Sequence, residues 1–209
     1  FAIFGLFEFT YFFVNELNNR KFRKPIIFIS KDSEYKRDKK LLTKYKLYNN
    51  IFDLEKKNFC KIYKVDNVNS LKVRKLLSKH KCNIGISINC RNKIKKNLIN
   101  FFNENLYNIH AGKLPQERGA AIATFKILNN INDINTTIHQ VSSKWDDGDI
   151  VLQLNKKMNI SKMYPIDVLN ESNMLSKKIL SKFLTYLMEN KKFKKIKQID
   201  DEKNYFPRL

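Results

Sequence analysis

The chain has 209 residues, which suits one domain, or one domain with a fragment of another. Hydrophobic residues make up 43% of the sequence, so enough apolar side chains are present for a real core. The formal net charge of +21 would attract a polyanion. Basic residues are abundant from end to end, however, and this spread favours a compositional bias over a dedicated basic surface.

Cysteine use and hydropathy exclude several classes of protein. The three cysteines, Cys60, Cys82 and Cys90, fit neither a disulfide framework nor a zinc site, so we expect no metal and a reducing, cytoplasmic compartment. The apolar start of the chain, residues 1–14, is too short and too often interrupted to span a bilayer. The chain lacks an initiator Met and ends without a terminating signal, so we expect a fragment of a longer protein.

The first half of the chain predicts strands that alternate with helices. An apolar run over residues 1–4 ends at Gly5, and apolar residues at helical spacing follow over residues 8–18. The other glycines of a dinucleotide-binding fingerprint are missing, so NAD binding is not predicted. Further strands are predicted over 25–30, 61–65 and 83–88, and residues 31–57 are predicted as a loop with a short helix over 39–45. One helix is predicted from a cap at Asn67 or Asn69 to His80, with Leu71, Val73, Leu76 and Leu77 inward. Another helix is predicted around 94–102.

The second half continues the same alternation. Strands are predicted over 106–109, 136–141 and 150–154, a turn over 130–135, helices over 120–129 and 166–188, and a basic segment over 191–197 that packs on an edge strand or leads into a linker. For the first of these helices, the pattern places Ala121, Thr124, Phe125 and Leu128 on one face. Together the elements predict an α/β fold with a Rossmann-like, doubly wound, mostly parallel sheet and helices on both faces.

Two polar stretches follow predicted strands and carry the candidate chemistry. Asn108 and His110 are two residues apart on an extended segment, so their side chains point the same way. Asp146 and Asp147 lie in a turn after a later strand, and α/β sheets bind ligands outside the carboxyl ends of their strands. An amide and an imidazole could stabilise an oxyanion, and a carboxylate could hold the imidazole protonated. Spacing alone leaves open that Asn108 and His110 are only a turn residue and a structural histidine.

The two stretches together resemble a known family. Residues 108–119 have the sequence N-I-H-A-G-K-L-P-Q-E-R-G, and T-I-H-Q-V followed by W-D-D-G-D-I comes after an intervening helix. This order and separation resemble the folate-dependent formyltransferases, which include the glycinamide ribonucleotide, methionyl-tRNA and amino-sugar-nucleotide enzymes. The resemblance covers nearly the whole chain. It implies a catalytic domain over residues 1–190 and the start of a C-terminal extension or linker over 191–209.

The resemblance also implies a role for individual residues. Asn108 and His110 match the catalytic amide and imidazole, and Asp146, as the first acid of D-x-G-D, matches the catalytic aspartate in preference to Asp147. The implied cofactor is 10-formyltetrahydrofolate, whose formyl group passes to the neutral amine of an acceptor. His139 matches a position that is His in some relatives, where we expect a structural role.

Folate binding in this family uses backbone groups of two loops. By resemblance, the cofactor-binding residues here are Ile88, Asn89, Ile94, Gln140, Val141 and Trp145, although the first loop lacks the family's usual G-x-x-L-P pattern. The same resemblance assigns Gly5, Lys113 and Arg118 to substrate binding. For Arg118, a purely structural role as a loop anchor is an equal alternative.

The acceptor is predicted from two details of sequence. The residues A-G-K after His110 and the ending N-Y-F-P-R-L resemble the sugar-nucleotide branch, so an amino-deoxysugar nucleotide is the expected substrate. Methionyl-tRNA is the alternative, with the charge of +21 in its favour. A non-catalytic, basic nucleic-acid-binding module is the alternative from another class. We expect no membrane partner, and a homodimer is compatible with the sequence.

Overall fold

The structure is a computed structural model that describes residues 1–30, 40, 43–45, 49–199 and 204–207. The predicted short helix over 39–45 therefore lies largely outside the described residues. The chain forms two compact units, residues 1–107 and 108–209, and the boundary between them falls within the fifth strand.

The first unit alternates strands and helices. Its elements are β1 (Ala2–Phe4), α1 (Glu8–Asn19), β2 (Ile26–Ser30), α2 (Ile51–Lys56), β3 (Lys61–Val65), α3 (Leu71–Lys79), β4 (Gly85–Ile88), α4 (Lys96–Phe102) and the start of β5 (Leu106–His110). The first four strands lie in the order β3-β2-β1-β4, and β1 pairs in parallel with both β2 and β4. The residues of β1, β2 and β4 are buried, as in parallel strands that are covered on both faces. The order in which successive strands are added to the sheet reverses between β1 and β4. Doubly wound folds bind ligands at such a point.

Three predictions in the first unit are wrong in detail. Residues 51–56 were predicted as loop, but the Asn50 side chain accepts a hydrogen bond from the Phe52 N–H and caps α2. Helix α3 is capped by Ser70, which accepts from Val73, and not by Asn67 or Asn69. Leu71 is consequently the first helical residue, and its side chain is 57% exposed instead of facing inward.

The second unit contains the end of β5 and a second set of elements. They are β6 (Arg118–Gly119), α5 (Ile122–Leu128), β7 (Asp133–Gln140), β8 (Ile150–Lys157), α6 (Pro165–Met188) and β9 (Tyr205–Phe206). The strands β5, β7 and β8 are neighbours in that order, with β7 and β8 antiparallel, and β6 pairs in parallel with β9. Ile134, Ile160, Val168 and Leu175 form a buried apolar cluster between the strands and α6.

The second unit also departs from two predictions. The predicted apolar face of α5 is wrong, because Leu128 is 66% exposed while Ile122 and Lys126 are the buried residues of that helix. Strand β7 begins at Asp133, so the predicted turn over 130–135 ends earlier than expected. The predicted contact of the basic segment with a strand is present, since Ile196 forms an antiparallel bridge with Ile150 at the start of β8.

The strand orders and directions confirm the predicted α/β class with a mostly parallel sheet. Among the helices of the described ranges, none combines the length and the apolar character that crossing a membrane requires.

Candidate active site

The carboxylate of Asp146 lies at the centre of a polar cluster in the second unit. Its Oδ2 lies 3.7 Å from Nδ1 of His110, and its Oδ1 lies 3.5 Å from Nε2 of His139. The Asn108 side-chain amide donates to Oδ1 at 3.3 Å, and the Gly119 N–H donates to Oδ2 at 3.0 Å. The three residues predicted to be catalytic, Asn108, His110 and Asp146, are therefore in contact, and His139 joins them.

The hydrogen bonds of the two imidazoles fix which ring nitrogen faces Asp146. Nε2 of His110 contacts the backbone carbonyl of Glu117, and Nδ1 of His139 contacts the carbonyl of Gln140 at 2.7 Å. A carbonyl oxygen only accepts hydrogen bonds, so each of these nitrogens carries a proton. Nδ1 of His110 is then turned towards Asp146. Nε2 of His139 lies 3.1 Å from the Asn108 side-chain nitrogen, which can only donate, so this ring nitrogen accepts a hydrogen bond from Asn108.

The surroundings of Asp146 favour its ionised form. Burial by itself would raise the pKa of this carboxyl, but the charge of His110, the hydrogen bond and charge of His139 and the Gly119 N–H together lower the pKa far below its ordinary value. The carboxylate consequently stays charged at neutral pH.

The backbone around Asp146 explains how the turn presents it. A register shift between Ile138 and His139, in the pairing of β7 with β8, precedes the turn, and bulges often re-aim side chains beside active sites. Asp146 itself has φ +49°, a left-handed conformation that Asp adopts more readily than most residues. A Cβ added to Gly148 would lie 1.9 Å from the Gln140 carbonyl oxygen, so only glycine fits there.

A buried ion pair holds the loop that follows His110. Lys126 is 0% exposed on α5, and its ammonium binds the carboxylates of Glu117 and, at 2.8 Å, Asp133. The second oxygen of Glu117 accepts from the Lys113 N–H at 2.6 Å. Because the Glu117 carbonyl binds His110, this pair determines where the imidazole is held.

Arg118 is tied into the same unit. Its guanidinium binds Asp147 at 2.5 Å and donates to the Gln198 side-chain oxygen at 2.7 Å and 3.2 Å. The side chain is 8% exposed, so in this arrangement it anchors the loop. Lys113, by contrast, has an exposed side chain. Substrate contact by either residue stays a prediction.

The predicted cofactor residues of the first unit lie where β4 ends. Ile88 and Ile94 are buried, so their side chains belong to the core and only their backbone groups can serve a ligand. Asn89 has an exposed side chain and φ +49°. Gly5, at φ +94°, packs against this turn, because an added Cβ would lie 2.2 Å from the Ile88 carbonyl oxygen.

The remaining predicted cofactor residues border the acidic turn of the second unit. Gln140 and Val141 are half-buried, and Trp145 is 47% exposed immediately before Asp146. Within the described ranges, no group of three His, Cys, Asp or Glu side chains has the arrangement of a metal site.

Sequence reasoning missed three residues of the site, Glu117, Lys126 and Gln198. A lysine among the apolar positions of α5 was the available signal for Lys126, since such a lysine is buried only with partners. Glu117, nine residues earlier, gave no such signal. Gln198 lies in a segment without periodicity, and only tertiary structure shows its contacts.

Comparison with known proteins supplies the family. The formyl transferase family model matches residues 1–183. The methionyl-tRNA formyltransferase of Ehrlichia ruminantium (strain Gardel) is 44% identical over 69 residues, which are 33% of this chain and 22% of that protein. The chain thus matches only about a fifth of the length of this curated relative.

Solved structures share the fold over nearly the whole chain. WlaRD, a sugar 3N-formyl transferase determined with dTDP and 5-N-formyl-THF, superposes with a TM-score of 0.76 at 20% identity, covering 99% of this chain and 69% of that one. The N-formyltransferase from Helicobacter canadensis, in complex with folinic acid and dTDP-3-aminofucose, gives 0.75 at 18% identity over 99% and 70% of the two chains. With a family model that spans most of its length and this shared fold, the chain belongs to the formyl transferase family.

Proposed function

We propose that this chain carries the catalytic site of an enzyme that moves the formyl group of 10-formyltetrahydrofolate to a primary amine. The observation that carries the proposal is the position of the Asp146 carboxylate between two imidazoles in a member of the formyl transferase family. The other nitrogen of each imidazole contacts a backbone carbonyl. The side chains placed around the Asp146 carboxylate in the described part of the chain are an amide and two imidazoles, which suits direct transfer without a covalent intermediate on the protein.

The residues of the cluster divide the work. The Asp146 carboxylate lies 3.7 Å from Nδ1 of His110 and would stabilise positive charge on the imidazole whenever that nitrogen takes up a proton during transfer. Asn108 supplies an amide donor for the oxygen that gains negative charge, and one such donor typically contributes about 10²–10³ in rate. The attacking amine forms a new N–C bond and gives up a proton to the His110–Asp146 pair, and the pair would supply a proton to the leaving nitrogen as its bond to the formyl carbon breaks.

The residues present fit a folate recognised through backbone groups. When bound, the cofactor supplies an activated formyl group, and the chain positions it. In the first unit, Gly5 lets the chain's own backbone at Ile88 and Cys90 pack closely, which fixes the turn that carries Asn89. In the second unit, Gln140 and Val141 border the turn of Asp146 with half-buried side chains. Gln140 and Val141 are thus residues whose backbone groups would contact the cofactor.

We propose an amino-deoxysugar nucleotide as the acceptor. Support comes from the residues A-G-K after His110, from the N-Y-F-P-R-L ending and from the sugar N-formyltransferases among the solved structures of the same fold. Methionyl-tRNA is the second candidate, favoured by the Ehrlichia relative and by the net charge of +21. The polar cluster around Asp146 argues against a purely RNA-binding module, because such a module needs no buried acid between two imidazoles.

The test is release of tetrahydrofolate from 10-formyltetrahydrofolate with a panel of amino-sugar nucleotides and with methionyl-tRNA. Asn108→Ala serves as the catalytic variant, and Asn97→Ala, an exposed amide on α4, serves as the matched control. We expect release with a sugar nucleotide that is lost in Asn108→Ala and kept in Asn97→Ala. Release only with the tRNA would overturn the acceptor, and folate binding without release in any mixture would overturn the catalytic proposal.

A further inference from the structure

The segment after α6 is bound to the loops that carry the polar cluster. Strand β9 pairs with β6, where Arg118 lies opposite Tyr205 and Gly119 opposite Phe206. The ring of Phe206 stacks on Phe125 at 4.7 Å. The family model ends at residue 183, so this segment lies beyond the part of the chain that it describes.

One side chain of this segment, Gln198, binds both the turn that carries Asp146 and the loop that carries Arg118. Its amide nitrogen donates to the carbonyls of Asp146 at 3.0 Å and Gly148 at 2.7 Å. Its oxygen accepts two hydrogen bonds from the guanidinium of Arg118. Arg118 also pairs with Asp147. Gln198 and Arg118 together therefore contact Asp146, Asp147 and Gly148 of the same turn.

The contact on Asp146 matters because that residue is in an unusual conformation. A left-handed backbone at a residue other than glycine persists only when its surroundings fix it. The carboxylate is fixed by the Gly119 N–H, and the carbonyl is fixed by Gln198. Nothing in the sequence near Asp146 supplies this second contact.

We infer that Gln198 is a positioning residue, and that the segment around it completes the catalytic unit by holding the backbone of Asp146. The segment predicted to be an extension or linker thereby takes part in forming the site. The expected loss of kcat rests on the proposed function, whereas the expected movement of the turn does not. Loss of the two N–H donors lets the turn move, and a displacement of about 1 Å at a reacting group can cost about 10²-fold in rate.

Two substitutions separate the hydrogen bonds that the Gln198 amide donates from those that it accepts. Gln198→Ala removes all of it, whereas Gln198→Glu keeps the acceptor for Arg118 but replaces both N–H donors with a carboxylate beside two carbonyls. Lys197→Ala, the exposed neighbour, is the matched control. The readouts are kcat and KM, thermal unfolding, and acrylamide quenching of Trp145, which is the single tryptophan of the chain and adjoins Asp146.

We expect Gln198→Ala and Gln198→Glu to increase quenching of Trp145 and to lower kcat by up to about 10²-fold, with KM changed much less. Lys197→Ala should match the wild type in every readout. Wild-type quenching and kcat in Gln198→Glu would overturn the inference, because Arg118 would then be the only partner that matters. If the wild type shows no turnover, the proposed function fails while quenching still decides the role of Gln198. A variant that fails to fold is replaced by Gln198→Met, judged by the same quenching criterion.

Discussion

The two units bury different kinds of side chain. In the first, the described buried side chains are mostly apolar, and the buried polar or charged ones are Glu8, Thr10, Ser30 and Ser87. In the second, buried polar or charged side chains recur among the described residues: His110, Glu117, Arg118, Lys126, Asn135, Thr136, Thr137, His139, Ser172, Asn173 and Ser176. An apolar core needs only volume and pattern, whereas a buried polar network needs every partner in place. The second unit should therefore tolerate fewer side-chain substitutions, because its buried polar groups must keep fixed positions around Asp146.

Asp146→Asn should produce the largest effect on this polar network. The amide carries no negative charge opposite His110, and its single oxygen cannot replace both carboxylate oxygens that accept from Asn108 and Gly119, so activity should fall by about 10²–10⁴-fold. Steady-state formyl transfer measures the loss. Asp147→Asn, which weakens the pairing with Arg118 and leaves the Asp146 carboxylate in place, is the control and should lose far less. Equal losses in the two variants would contradict the central place of Asp146.

Lys126→Met should destabilise the second unit strongly. Removing one partner leaves Glu117 buried and uncompensated, and such a loss typically costs about 3–5 kcal/mol. Chemical denaturation gives the difference in unfolding free energy. In the double variant Glu117→Gln with Lys126→Met, much of this stability should return. If the single variant is as stable as the wild type, the ion pair does not hold the loop.

The folded state should lose stability in acid because of Asp146. Its pKa is lowered on folding, so the unfolded chain binds a proton more readily than the folded one. The contribution is present in full above the unfolded value of about 3.9, and it is lost as the pH falls below that value towards the folded pKa. Denaturation from about pH 5 downward should show a steeper decline in wild type than in Asp146→Asn. Parallel curves would contradict the lowered pKa.

His139→Asn should have a moderate effect. An Asn at this position keeps a polar side chain but removes the ring nitrogen that faces Asp146 at 3.5 Å, so we expect about a tenfold loss of kcat, the low end for altered proton handling. The loss should appear in kcat rather than in the unfolding temperature, because the removed nitrogen also contacts the Asn108 side chain at 3.1 Å. A purely structural role would lower the unfolding temperature and leave kcat unchanged.

The cysteines of the first unit should give the smallest effect. Burial is the main cause that raises the pKa of Cys60 to about 12 and of Cys90 to about 11, and it raises the pKa of Cys82 as well. These thiols should therefore react with a thiol reagent at pH 7–8 only after denaturation. Fast labelling of the native chain would show that the first unit is less firmly packed than its apolar core indicates.

The contrast between the units also explains what could be predicted from sequence. Apolar runs such as residues 26–30 and the long periodic helix α6 were predicted nearly to their ends, because burial of apolar residues leaves a local pattern. Asn108, His110 and Asp146 were found through motif order. Their contact depends on a register shift in β7 and β8 and on a left-handed Asp146, neither of which has a local signal.

The partners of the motif could not be predicted for a related reason. Glu117 and Lys126 are nine positions apart, and Gln198 meets Asp146 across 52 positions, so only the folded chain brings them together. The predicted face of α5 left out Lys126, which is buried because its charge is paired with Glu117 and Asp133.

The most direct test of the account follows an isotope-labelled formyl carbon from 10-formyltetrahydrofolate to the acceptor by mass spectrometry. Wild type and Asp146→Asn are compared with the same amino-sugar nucleotide, and quenching of Trp145 monitors folate binding in both. The account predicts label on the acceptor amine with wild type and loss of that label in Asp146→Asn, while folate still binds. Undiminished transfer in Asp146→Asn, or no transfer by wild type to any amine acceptor, would contradict it.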